Sequence, residues 1–147
     1  MSSSTTNPFL PTRDCLCSAY RRATRALTQH FEAQFRGSGL RATQFTVLST
    51  LAQTGPIPAT RLARHLGMER TTLTRNLKPL EDRNLLTISE GRDARVRQIA
   101  ITKEGTALAL KLLPQWQKAQ KSAGKVLAAH PLPSVLEKPA PQKRRIP

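Results

Sequence analysis

The segment from Met68 to Leu86 has an apolar stripe on one side and cationic side chains on the other. Leu73, Leu77 and Leu80 recur at steps of four and three residues, which places them on one face of an α-helix. The opposite face carries hydroxyl and guanidinium groups, from Arg70, Thr71, Thr74 and Arg75. This mixture suits the major groove of DNA, because guanidinium forks reach guanine edges or phosphates and threonines fit close to the bases. The segment therefore predicts a basic amphipathic helix that can contact nucleic acid.

A second, shorter helix is predicted just before it, over residues 59–66. Leu62 and Leu66 face inward, Arg61 and Arg64 face outward, and Gly67 follows at the position that commonly ends a helix. Two short helices joined by a glycine-containing turn, the second with a cationic outer face, are typical of a helix-turn-helix. Pro79 is expected to bend or weaken the last turns of the second helix.

After Asn84, which is expected to adopt a left-handed conformation, the apolar spacing changes to every second residue. The alternating pairs are Leu86 and Ile88 before the turn 90–95 and Ile99 and Ile101 after it, with Val96 directly following the turn. This pattern predicts a β-hairpin with a basic tip. A helix-turn-helix followed by a hairpin is a winged helix.

Helices are also predicted on both sides of this region. One begins near Asp14 as its N-cap and ends before Gly37, and the next begins with Thr43 as its N-cap. Ile57-Pro58 is expected to form a short extended bridge. Thr102 is expected to cap a long helix that continues through Pro114 to about residue 121.

The expected fold class is mainly α with a small β-hairpin: a winged helix-turn-helix plus a helical dimerisation region. Residues 1–12 are expected to be a flexible arm, and 13–57 the N-terminal helices. Residues 58–102 would form the DNA-binding region and 103–129 a C-terminal dimerisation helix. The Pro-rich basic segment 130–147 is expected to be disordered.

The chain has 24 Lys and Arg residues against 9 Asp and Glu residues, a formal net charge of +15. Such a charge favours a polyanionic partner. The sequence shows neither an apolar run long enough to span a membrane nor a secretory signal, so a cytoplasmic location is expected. It also lacks a Gly-rich phosphate loop and a catalytic constellation. We therefore expect no enzymatic activity and no cofactor, and we assign no residues as metal ligands.

The order of these parts resembles the MarR family of bacterial transcriptional regulators. The resemblance is carried by the segments 40–45, 62–67, 68–86, 91–95 and 101–105. It implies a homodimer whose two recognition helices enter successive major grooves of a palindromic operator, with the wings reaching the flanking minor grooves. It also implies that Arg95 enters the minor groove and that Asp93 orients it. The expected DNA-binding residues are Arg61, Arg64, Arg70, Thr71, Thr72, Thr74, Arg75, Asn76, Arg92, Asp93, Arg95 and Arg97.

The C-terminal segment departs from that family, whose members usually end in a further apolar helix at the dimer interface. Here the Pro-rich tail offers only the short apolar pairs Val126-Leu127 and Val135-Leu136. Dimerisation is therefore expected to depend on the helices at 14–36 and 103–123.

Cys15 and Cys17 lie at the start of the first predicted helix, where the helix dipole favours an anion. On a regular helix, residues two apart point about 200° away from each other, so the two sulfurs should not easily bond to one another. Three interpretations stay open: buried structural cysteines, a redox sensor like a peroxide-sensing subgroup of the same family, or a soft-metal site. His30, His65 and His130 show no ligand spacing.

Two functions remain possible from the sequence. The first is a transcriptional repressor released by an oxidant, a soft metal or a small aromatic molecule. The second is an architectural DNA-binding protein without an effector, for which the charge alone would suffice. Specific binding should survive competitor DNA at physiological salt, whereas architectural binding should not.

Overall fold

The computed structural model describes residues 7–93 and 95–132, and within them it contains five α-helices and three short strands. The helices are α1 (Leu16–Gln34), α2 (Ala42–Thr54), α3 (Ala59–Leu66), α4 (Arg70–Asp82) and α5 (Lys103–Ala128). The strands are β1 (Ile57–Pro58), β2 (Leu86–Glu90) and β3 (Arg97–Ile101). The predicted fold class, mainly α with a small β-hairpin, is confirmed.

The three strands form one antiparallel sheet in the order β1-β3-β2. The hairpin pairs Leu86 with Ile101 and Ile88 with Ile99. On the other edge of β3, Ile57 pairs with Ile99. The extended bridge predicted at Ile57-Pro58 is thus a third strand, because its backbone finds hydrogen-bonding partners about forty residues away that a local pattern does not reveal.

A single apolar core joins α2, α3, α4 and the sheet. Its most deeply buried large side chains are Phe35, Val47, Leu48, Leu51, Leu62, Leu80, Leu86 and Ile99. The predicted stripe Leu73, Leu77 and Leu80 of α4 belongs to this core. Burying one face of α4 determines which face remains in solvent.

The turn between α3 and α4 follows the predicted geometry. Gly67 has φ 61° and ψ 31°, the left-handed conformation that glycine adopts without strain. The Met68 amide donates to the carbonyl of Ala63 at 2.9 Å, which satisfies a carbonyl at the end of α3. Asn84, with φ 56°, ends the α4 region in a similar way, and the helix itself continues through Pro79 to Asp82.

Two predicted helix caps are wrong. Asp14 ends a short 3₁₀ helix (Leu10–Asp14), and the N-cap of α1 is Cys15. That 3₁₀ helix also includes residues 10–12, which were expected to belong to the flexible arm. The N-cap of α2 is Arg41 rather than Thr43. The Arg41 amide donates to the Gln44 side chain at 2.9 Å, so Thr43 lies inside the helix and its hydroxyl is used elsewhere.

The C-terminal helix begins as predicted and ends later. The Thr102 hydroxyl accepts from the Gly105 amide at 3.0 Å, which confirms the cap. The helix passes through Pro114 and ends at Ala128, beyond the end at about residue 121 expected from the apolar spacing but within the expected helical region 103–129. It packs against α1. Most of the predicted disordered tail lies outside the described residues. None of the helices in the described part of the chain is long and apolar enough to cross a membrane.

Candidate nucleic-acid interface

The exposed side of α4 forms a continuous polar surface opposite its buried leucines. We call Arg70, Thr71, Thr74 and Arg75 the recognition face, and all four are exposed. Thr72 is exposed beside them, and Arg61 and Arg64 are exposed on α3. The two short helices therefore present their cations to solvent, because their leucines are committed to the core.

Among the described residues, the arginines of this surface form no ion pair with a carboxylate. Within residues 7–93 and 95–132, the ion pair present is Lys78–Asp82, near the C-terminal end of α4. Hydrogen bonding to Asp82 raises the pKa of Lys78, so that cation is engaged within the protein. Between residues 58 and 103 the sequence has ten basic and five acidic residues. The surface around α3 and α4 therefore carries a positive field suited to phosphates.

Asn76 differs from the other predicted DNA-binding residues. It is half-buried, its Nδ2 donates to the Thr72 carbonyl at 2.9 Å, and its Oδ1 accepts from the Thr43 hydroxyl at 3.0 Å. Both ends of the amide are thus occupied within the protein. The structure places Asn76 beside the recognition face and not on its outer surface.

The wing presents Arg92, Asp93, Arg95 and Arg97 to solvent. Its tip is closed by hydrogen bonds from the Gly91 amide to the Val96 carbonyl (2.7 Å) and from the Val96 amide to the Asp93 carbonyl (2.8 Å). The Asp93 carboxylate accepts from the backbone amide of Arg95 at 3.0 Å. It therefore fixes the backbone at Arg95, and in the described residues it forms no ion pair with that guanidinium. Asp93 thus bonds to the main chain of Arg95, and its expected role in orienting the Arg95 side chain stays a prediction.

Cys15 and Cys17 are both exposed free thiols, so the interpretation of buried structural cysteines does not fit the single chain. Cys15 has φ −60° and ψ 113°, outside the helical region, whereas Cys17 lies in the first turn of α1. The expected separation of about 200° assumed that both residues were helical, and it does not apply here. Arg21 donates from Nη2 to the Cys17 sulfur at 3.7 Å. In the described residues, no cluster of three or more His, Cys, Asp and Glu side chains could hold a metal.

His30 joins the two long helices. Its Nε2 lies 3.0 Å from the carbonyl oxygen of Ala119 and 2.9 Å from the Ser122 hydroxyl. A carbonyl oxygen can only accept, so Nε2 carries the hydrogen. This is an interhelical contact within the protein, in line with the absence of ligand spacing in the sequence.

A cavity that the sequence did not predict lies between α1, α2 and α5, and we call it the cleft. It has a volume of about 270 Å³. Its walls are threonine, aliphatic and aromatic side chains, from Thr24, Leu27, Thr28, Phe31, Phe35, Ala42, Thr43, Thr46 and Trp116. Sequence reasoning assigned these apolar residues to helix packing. Their arrangement around a cavity depends on how three helices separated in the sequence meet.

Both the sequence and the fold are similar to those of known proteins. The MarR family model matches residues 40–96, which run from the start of α2 into the wing. The transcriptional regulator MosR of M. tuberculosis, solved in complex with DNA, is 37% identical, with a TM-score of 0.68. That match covers 78% of this chain and 82% of MosR. BpsR of Bordetella bronchiseptica, whose DNA binding is regulated by 6-hydroxynicotinic acid, is 25% identical, with a TM-score of 0.67, and the match covers 74% of this chain and 83% of BpsR.

A curated relative is an uncharacterized HTH-type transcriptional regulator, YwoH of Bacillus subtilis, which is 29% identical over 83 residues. That match covers 56% of this chain and 61% of YwoH, less than two thirds of its length. The similarity to MosR covers more of the chain than the residues 40–96 that the family model matches. The chain belongs to the MarR family of DNA-binding transcriptional regulators.

Proposed function

We propose that this MarR-family protein binds a palindromic operator as a homodimer and represses transcription until a small effector releases it. The observation that carries this proposal is the recognition face of α4. Its arginines and threonines are exposed because Leu73, Leu77 and Leu80 on the opposite side are buried in the core. A helix held in this way presents side chains that read base edges in a major groove. On this proposal, the protein binds DNA in the cytoplasm and catalyses no reaction.

The long helices support a homodimer. Although α1 and α5 pack on each other, large apolar side chains remain exposed on them, namely Leu16, Tyr20, Leu110, Leu113 and Leu127. Leu110 is the extreme case, with 63% of its surface exposed. A second copy of the chain would cover such residues, since exposed apolar patches commonly mark interfaces. Two copies would also place two recognition helices on one palindrome.

The proposal can be tested by titrating the chain onto its own promoter with excess random DNA at physiological salt. We expect specific affinity on the order of 10³-fold or more above binding to random DNA. The alternative, an architectural protein, is supported by the net charge of +15 and would show no such ratio. Sedimentation at micromolar concentration should give a dimer. A monomer with full affinity for the palindrome would contradict the homodimer.

The cleft supports a small aromatic effector. Its volume of about 270 Å³ and its three aromatic side chains, Phe31, Phe35 and Trp116, suit a single ring. The DNA binding of the similar protein BpsR is regulated by 6-hydroxynicotinic acid, a ligand of this size class. The cleft borders α1 and α5, the proposed dimer helices, and α2, which packs against α4. An occupant could therefore change the orientation of the recognition helices.

The wing should contribute to operator binding through the fixed backbone geometry of its tip, and not through its positive charge alone. We expect Arg95→Ala to weaken operator binding by about 1 kcal/mol, most strongly where the flank is A·T-rich, because a narrow minor groove concentrates negative potential. Asp93→Ala should also weaken binding although it makes the protein more positive, since the Arg95 amide loses its acceptor. Asp93→Asn keeps an acceptor oxygen and should bind nearly as well as the wild type. Tighter binding by Asp93→Ala would refute a positioned wing.

Thiol chemistry at the start of α1 provides a second route of release. Cys17 is exposed and accepts a hydrogen bond from the Arg21 guanidinium, so its sulfur is accessible to an oxidant. A hydroperoxide would transfer one oxygen to the sulfur, leaving a sulfenate and an alcohol. We expect this treatment to weaken operator binding between about 5-fold and 150-fold in the wild type and in Cys15→Ser, but not in Cys17→Ser.

The same titrations with a soft metal ion would separate metal binding from oxidation. Mass analysis under non-reducing conditions would show whether Cys15 and Cys17 join to each other. A loss of response confined to Cys15→Ser would assign sensing to Cys15 and not to Cys17. Unchanged affinity after every treatment would leave the cleft as the proposed effector site.

A further inference from the structure

The first turn of α2 is held by hydrogen bonds from two other helices. On one side, the Glu32 carboxylate of α1 accepts from the Ala42 amide at 2.9 Å. On the other side, the hydroxyl of the next residue, Thr43, donates to Oδ1 of Asn76 on α4 at 3.0 Å. Consecutive residues of α2 thus connect a proposed dimer helix to the recognition helix.

The direction of the contact between Thr43 and Asn76 follows from its neighbours. Asn76 Nδ2 lies 2.9 Å from the carbonyl oxygen of Thr72, which can only accept a hydrogen bond. The amide nitrogen must therefore face Thr72, which leaves Oδ1 facing Thr43. The Thr43 hydroxyl is the donor, and it has one hydrogen to give.

Thr43 also lines the cleft, beside Ala42 and Phe35. The same side chain therefore contacts both the cavity and the recognition helix. We propose that Thr43 is a positioning residue that couples occupancy of the cleft to the placement of α4. The inference rests on the proposed function and adds to it the contact through which the effector would act.

The physical basis of this coupling is competition between two acceptors for the single hydrogen of the Thr43 hydroxyl. An occupant of the cleft that carries an acceptor, such as a ring carboxylate, carbonyl or phenolate, can draw the Thr43 hydroxyl toward itself. Asn76 Oδ1 then loses its donor, and a half-buried amide oxygen without a donor is unfavourable. Asn76 would move to find another partner. Because Asn76 lies next to Arg75 and bonds to Thr72, its movement would disturb the recognition face.

Thr46 provides a matched control. It lies one helical turn further along α2 and lines the same cleft. Its hydroxyl donates to the Ala42 carbonyl at 3.0 Å, within its own helix. Thr43→Val and Thr46→Val make the same chemical change on the same wall, but only the first removes a bond to α4.

The first measurement is operator affinity. We expect Thr43→Val to weaken binding by at least about fivefold, with Thr43→Ser and Thr46→Val close to the wild type. Asn76→Ala should weaken binding similarly, and the double variant Thr43→Val/Asn76→Ala should lose no more than the weaker-binding single variant. Equal affinities of Thr43→Val and Thr46→Val, or additive losses in the double variant, would overturn the proposal.

The second measurement follows the accessibility of the cleft and needs no effector. Trp116 lines the cleft and is the single tryptophan of the chain, so its quenching by acrylamide reports access to the cavity. Because coupling between two sites is reciprocal, operator DNA should change this quenching in the wild type and in Thr46→Val, but not in Thr43→Val. An unchanged signal in the wild type on binding DNA, or a retained change in Thr43→Val, would overturn the proposal.

Failure of the proposed function would give a different experimental result from failure of the coupling. If the wild type shows no preference for the operator, the proposed function fails. Quenching of Trp116 in the free protein still tests the contact, because Asn76→Ala on α4 should alter it while Lys78→Ala, on the same helix, should not. Equal quenching in those two variants would then refute the coupling as well.

Discussion

Gly105→Ala is expected to lower the free energy of unfolding by on the order of 3 kcal/mol. Gly105 is buried in the first turn of α5, and a Cβ built there would lie 1.9 Å from the carbonyl oxygen of Leu85. Backbone cannot move aside as the end of a flexible side chain can, so α5 would have to shift away from the start of β2. Chemical denaturation followed by circular dichroism measures the loss.

The matched control is Gly124→Ala in the same helix. Apart from its chain neighbours and the backbone of its own helix, no heavy atom of the described residues lies within 4 Å of a Cβ built at Gly124. Alanine there should stabilise the helix by about 1 kcal/mol through its higher helix propensity. The same substitution should therefore have opposite signs at two positions of α5. Equal effects at both would show that the close approach of Gly105 to Leu85 does not determine stability.

Arg75→Ala is expected to weaken operator binding by on the order of 1–3 kcal/mol and to blur preference at particular base pairs. Arg75 is exposed on the recognition face, and its guanidinium can bond to a guanine edge through two donors. The measurement is affinity for the operator and for single-base variants of it, at fixed salt, alongside random DNA.

Lys78→Ala is the control for charge. It removes one cation from the same helix, but that cation is paired with Asp82. We expect a small change in affinity and no change in base preference. An equal loss for Arg75→Ala on operator and random DNA would show that Arg75 contacts phosphate alone.

Much of the DNA-binding half could be predicted from local pattern. The bounds of α3, the left-handed Gly67, the buried stripe of α4 and the Thr102 cap all depend on residues within about one helical turn of each other. Periodicity and capping rules describe interactions over that distance, so the sequence is sufficient. The exposed side of α4 followed from its buried side.

The wrong cap of α2 concerns a residue whose partner is distant in the sequence. Thr43 is a residue type that often caps a helix. However, the side chains of Gln44 and Glu32 already accept from the amides of Arg41 and Ala42 at the start of α2. The Thr43 hydroxyl instead bonds to Asn76, 33 positions away. The DNA-binding role expected for Asn76 stays a prediction, and the structure adds that its side-chain oxygen accepts from Thr43. The contact with Thr43 appears only when α2 packs across α4.

The sequence by itself therefore determined the order of the elements, the winged helix and the surface of α4 that remains in solvent, because each depends on short-range periodicity. Tertiary structure alone decided the cleft, the pairing of β1 with β3, the exposure of both thiols and the bonds of Glu32 and Thr43 to other helices. The cleft and the bonds of Glu32 and Thr43 arise where helices separated in the sequence pack together, and β1 pairs with a strand about forty residues away. Hydrogen-bonding groups select partners by distance in space, which a linear pattern does not contain.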